Sequence, residues 1–140
     1  MPGSTLSSPP ATVASKSLTV AMEQRTLQFA ENVRSFVKRL PRSSILSEDV
    51  IQLMHASSAI GVNYIEACNA PSARDFQLRM RTCLKEAKNS CFWLKLIDVG
   101  NGPTLPEMRK TLVEDGTVLC KIFFSAVKKM REKEAARQGA

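Results

Sequence analysis

The chain has 140 residues, a hydrophobic fraction of 44%, four cysteines, one histidine and a formal net charge of +7. That length supports one domain with a real core. The apolar runs are too short to span a bilayer, which takes roughly 20 residues, and one histidine without paired-cysteine spacing argues against a zinc site. The basic balance points either to a polyanion partner such as nucleic acid or to solubility alone.

Residues 1–16 are Ser, Thr, Pro and Ala with little apolar bulk, so a disordered tail is expected there. Met1 to Thr19 show no basic stretch followed by a long apolar run, so no secretory signal is expected. Cys68, Cys83, Cys91 and Cys120 lack CxxC spacing and read as buried free thiols of a reducing compartment. A bacterial-type cytoplasm is the simplest location.

Residues 17–133 read as four helices. The first should start near Ser17 or Thr19 and run to Leu40. Its seam of Met22, Thr26, Phe29, Val33, Phe36 and Leu40 alternates steps of four and three. Pro41 stops it, because the residue before a proline avoids the α region. A short connection leads to Ser47, a hydroxyl cap followed by Glu48 and Asp49 at the positive end of the next helix.

The second helix, from about Val50 to Asn69, organises the chain. Leu53, Ser57, Ile60, Gly61, Tyr64 and Cys68 share a face with Val50 and Met54. The opposite side holds Ile51, His55, Ala56, Ala59, Val62, Asn63 and Glu66. With Glu66 as its one formal charge, this helix should be shielded on more than one side, by its own chain and by another. Asn63 and Glu66 share one face. Glu66 should pair with a cation on a neighbouring helix, with Arg81 or Lys85 as candidates.

Ser72 and Asp75 form a capping box that opens the third helix, from about Ala73 to Val99. Its core stripe is Phe76, Met80, Cys83, Ala87, Cys91 and Leu94, with Leu84 and Ile97 at the edges. Leu78, Phe92 and Leu96 point the other way, and together with Ile51 and Val62 they suggest an oligomer interface. Gly100 to Pro103 is a firm stop. The fourth helix starts between Thr104 and Pro106 and runs through Met108, Leu112, Asp115, Leu119, Ile122, Ala126 and Met130. Asp115 sits on that seam, where a neighbouring Arg or Lys could pair with it. Residues 134–140 read as a frayed basic tail. Short loops make sequential helices antiparallel neighbours, so the expected fold is all-α, an up-down-up-down four-helix bundle.

Catalysis has little support. Di-iron bundles need Glu-x-x-His pairs, and none occurs; no phosphate-cradling glycine loop is present. No catalytic residue, metal or cofactor is expected. The basic residues outside the seams are Arg34, Lys38, Arg81, Lys85, Lys88, Lys110, Lys121 and Lys128. They would contact the backbone of RNA or DNA without reading bases, since no helix-turn-helix or aromatic strand motif accompanies them.

The run from Ser57 to Ala67, two serines followed by Asn63-x-x-Glu66-Ala67, resembles the Asn-x-x-Glu-Ala part of a serine-containing family signature; Ser72, Asp75-Phe76, Leu84-Lys85-Glu86-Ala87, Trp93-Leu94 and Gly100 follow at matching places. The family is the small bacterial four-helix-bundle proteins first noticed in intervening sequences of 23S ribosomal RNA. It includes relatives of the accessory variability determinant of diversity-generating retroelements. The resemblance implies a cytoplasmic homopentameric barrel with a non-enzymatic role, and, in the retroelement branch, partners in nucleic acid and a reverse transcriptase. Ser57, Asn63, Glu66, Ala67, Lys85 and Glu86 carry over as structural positions. The functional expectation is an oligomeric nucleic-acid-binding accessory protein. The alternative is a scaffold bundle that contacts other proteins and has no nucleic-acid role.

Overall fold

The computed structural model describes the backbone of residues 10–139 and side chains of residues 17–139. Among the described residues it is all-helical, with five helices: α1 (Pro10–Lys38), α2 (Arg42–Ile45), α3 (Glu48–Cys68), α4 (Ala73–Leu96) and α5 (Thr104–Gly139). The arrangement is compatible with a helical bundle. Helix α3 packs on α1 and α4, and α5 packs on α4 and α1.

Helix α1 begins at Pro10, earlier than Ser17 or Thr19. Proline fits a first helical turn because its missing N–H would have no partner inside the helix. Residues 1–9 of the expected tail lie outside the described residues. The connection after Pro41 contains the helical turn α2, whose Ser44 and Ile45 amides donate to the Pro41 carbonyl at 2.9 and 3.0 Å. Helix α5 continues to Gly139, with residues 131–139 all exposed.

Both expected hydroxyl caps form. Ser47 Oγ accepts from the Val50 amide at 3.4 Å, and Ser72 Oγ accepts from the Asp75 amide at 3.1 Å. Gly100 ends the α4 segment at φ 73°, where an L side chain would be strained. A Cβ there would also come within 2.9 Å of Pro41. Arg109 then donates to the Ile97 carbonyl at 2.6 Å and ties the start of α5 to the end of α4.

The core joins Phe29, Val33 and Phe36 of α1, Leu53, Ile60 and Tyr64 of α3, Met80, Cys83, Ala87 and Leu94 of α4, and Leu112, Leu119 and Phe123 of α5. The Tyr64 and Phe123 rings meet at 6.1 Å. Small residues let the helices approach. Ser57 and Ser90 are fully buried, and each hydroxyl donates to a carbonyl of its own helix, which removes the cost of an unpaired buried group.

Three sequence expectations about the core are corrected. Gly116, not Asp115, occupies the α5 seam: it is buried, and a Cβ on it would lie 2.6 Å from Cys91 Sγ. Asp115 is exposed and has no ion-pair partner within 4.0 Å among the described residues. Beyond Leu119 the seam runs through Phe123 and Val127 rather than Ile122 and Ala126. The difference is one step: the seam advances by four from Leu119 to Phe123, where the sequence predicts a step of three to Ile122. At the end of α3, Ala67 turns inward and leaves Cys68 exposed; Cys120, beside the seam residue Leu119 on α5, is partly exposed, while Cys83 and Cys91 are buried.

Candidate nucleic-acid interface

The start of α4 is fixed from two sides. On the α3 side, Arg79 Nη1 donates to Asn63 Oδ1 at 3.0 Å and lies 2.7 Å from Glu66 Oε1. Asn63 is itself oriented by donation from Nδ2 to the Ala59 carbonyl at 2.8 Å. The Asn-x-x-Glu spacing therefore builds a two-oxygen receptor for one guanidinium. Glu66 finds its cation on a neighbouring helix, although about half of its side chain is in solvent. The partner is Arg79 rather than Arg81 or Lys85, because the end of α3 lies beside the start of α4. Lys85 instead lies 4.0 Å from Glu86.

On the other side, α4 meets the last turns of α5. Arg74 and Arg81 are seven residues apart and Lys133 and Arg137 are four apart, so each pair lies along one helix face. These four cations line a groove of about 460 Å³ floored by Phe76, Leu78 and Met130, with Glu134 as its one acid. Arg74 stands in the first turn of α4, where the helix dipole already presents positive charge. An anion would relieve both. Gln77 also lines the groove, and its Nε2 is buried without a hydrogen-bond partner among the described residues.

Of the basic residues singled out from sequence, Arg81 lies in this groove. Arg34, Lys38, Lys85, Lys88, Lys110, Lys121 and Lys128 are exposed but do not line it. Arg74, Lys133 and Arg137 were missed, although the seven-residue and four-residue spacings are visible in the sequence. Reading the chain beyond residue 133 as frayed hid the second pair.

Large apolar side chains are exposed as well. Ile51, Val62, Leu78, Phe92 and Leu96, the five expected interface positions, are each 50–58% exposed. Phe92 stacks edge-on against Trp93 at 5.1 Å, which leaves one ring largely in solvent. Leu27, Val62 and Ile65 also line a groove of about 510 Å³ between α1 and α3. None of the helices, among the described residues, is long and apolar enough to cross a membrane.

The chain is similar to a solved structure, a protein of unknown function from the S23 ribosomal protein family of Bacteroides thetaiotaomicron. The two are 25% identical, with 79% of this chain and 97% of that chain covered and a TM-score of 0.68. No family model and no curated protein matches the chain. The likeness supports the family-level resemblance carried by the Ser57–Ala67 motif and extends it to the fold.

Proposed function

We propose that this chain is a non-enzymatic nucleic-acid-binding accessory protein that holds a phosphate backbone in the α4–α5 groove. The observation that carries the reading is the convergence of Arg74, Arg81, Lys133 and Arg137 on one site with a single acid. The +7 net charge adds long-range attraction for a polyanion. Arginine favours this use because its planar fork can engage two phosphate oxygens at once. No base-reading element accompanies the groove, so binding should follow backbone and shape. Filter binding of a single-stranded RNA at about 50 mM salt tests it: retention that fades steeply with added salt is expected. No retention at that salt would reject the reading.

The same proposal includes assembly in the cytoplasm as a homopentamer of antiparallel, up-down-up-down bundles. Supporting the antiparallel course, Ile60 meets Cys83 while Glu66 meets Arg79, and Cys91 meets Val113 while Ile97 meets Arg109. Supporting assembly, Ile51 and Val62 of α3 and Leu78, Phe92 and Leu96 of α4 stand about half exposed, and exposed apolar side chains that form a contiguous patch mark interaction surfaces. A reverse transcriptase is the protein partner that the family resemblance suggests.

That apolar surface also favours a second reading, a scaffold that contacts another protein without nucleic acid. Co-purification of a protein partner that survives nuclease treatment, combined with absent RNA retention, would select it. Sedimentation at micromolar protein tests assembly separately: a monomer would exclude the barrel.

A further inference from the structure

The inner faces of α4 and α5 bring two thiols together. Cys91 is 8% exposed. Its Sγ fills the notch left by Gly116, where a Cβ would stand 2.6 Å away, and lies 3.8 Å from the Val113 carbonyl. Cys120 is one helical turn beyond Gly116 on the same face of α5, so the Gly116 notch that seats Cys91 Sγ brings the two thiols next to each other. It is partly exposed, so a small solute has an entry path beside it. The other two cysteines sit in different settings. Cys83 is sealed in the core and donates to the Ile60 carbonyl at 3.6 Å, while Cys68 faces solvent.

We propose that Cys91 and Cys120 form a dithiol that hydrogen peroxide or an organic hydroperoxide oxidises to a disulfide stapling α4 to α5. The electrostatics suit the roles. The hydrogen bond from Cys120 brings Cys91 down to about 7, with help from Thr117 and Lys95 and against the effect of burial. Cys120 keeps the proton and is pushed up, mainly by its bond to Cys91 and by burial, with Lys88 opposing. Burial raises Cys83 to about 12, which leaves it inert. A thiolate next to a protonated thiol is the pairing of an attacking and a resolving cysteine.

In the first step the Cys91 thiolate attacks one peroxide oxygen. The O–O bond breaks, hydroxide leaves, and Cys91 becomes a sulfenic acid. In the second step Cys120 sulfur attacks the Cys91 sulfur. The S–O bond breaks, and the Cys120 proton leaves with the departing oxygen as water. Two thiols lose two electrons, and the peroxide gains them. The link encloses residues 92–119 and fixes the two helices that flank the cationic groove.

The test uses the full chain carrying Cys68→Ser, which removes the exposed thiol. After brief treatment with hydrogen peroxide and alkylation, trypsin should release residues 89–95 joined to residues 111–121, a species that reduction separates. Cys83 should remain reduced. In a Cys120→Ser variant of the same chain, dimedone should label Cys91, and no linked peptide should form. If that variant does not fold, peptide mapping of the parent decides alone. The proposal is overturned if Cys91 and Cys120 stay unlinked while peroxide is consumed, or if Cys91 oxidises no faster than Cys83.

Discussion

Helix α5 borders two grooves of nearly equal size and opposite chemistry. Toward its beginning it meets α1 in a groove of about 480 Å³ that holds Glu107 and Asp115 with Asn32, Ser35 and Thr111, and no cation. Toward its end it meets α4 in a groove of about 460 Å³ that holds four cations and one acid. The total charge of +7 is therefore not spread evenly. The groove at the end of α5 gathers four cations around one acid, whereas the groove at its start presents two acids. Local concentration of cations, more than net charge, decides where a backbone can lie.

Removing the cations should break that contrast most strongly. Replacing Arg74, Arg81, Lys133 and Arg137 together by Ala should weaken single-stranded RNA binding at least about tenfold at low salt. Circular dichroism should be unchanged, because Arg74, Arg81, Lys133 and Arg137 are all exposed. Gly116 separates the two grooves along α5 and lets α4 and α1 approach. A Cβ there meets Cys91 at 2.6 Å and the Phe29 ring at 3.4 Å. Gly116→Val should lower stability by about 1–3 kcal/mol in urea unfolding. Pairing it with Cys91→Ala should recover part of the loss.

Alkaline pH acts on the core that both grooves share. Burial raises Cys83 from 9.0 and Tyr64 from 10.0 to about 12 each, with the Cys68 thiol adding to the effect on Tyr64. Both groups are neutral when protonated, and the fold favours that form, so their contribution is complete below pH 9.0. As pH rises toward about 12 the unfolded chain releases protons first, and stability falls. Thermal unfolding between these values should show the decline, and Cys83→Ala should make it shallower. The smallest effect is expected from the clamp on the far side of α4. Arg79 and Glu66 are about half exposed, so Arg79→Ala should cost no more than about 1 kcal/mol.

Much of this was legible from residue patterns. Ser47, Ser72 and Gly100 mark helix ends through local chemistry, and each acts within a few residues of itself. The core stripes of α1 and α4 follow a single period and were found. The second half of α5 was not, because its seam shifts after the close approach at Gly116, a tertiary event. Glu66 announced a cation by standing in a near-apolar helix. Naming Arg79 required the offset between α3 and α4, which no local pattern contains. The groove was hidden for the same reason: Arg74 and Arg137 are 63 positions apart in the chain, and only the packing of α4 against α5 makes them neighbours.

The most direct test of the central claim is the salt dependence of single-stranded RNA binding, measured for the wild type and for the four-alanine variant. Four cations each neutralising one phosphate give a slope of log affinity against log salt of about −3, a loss of about fifty-fold between 50 and 200 mM. The account predicts that slope for the wild type and a nearly flat line for the variant. Equal slopes for the two proteins would contradict it and place any binding elsewhere on the surface.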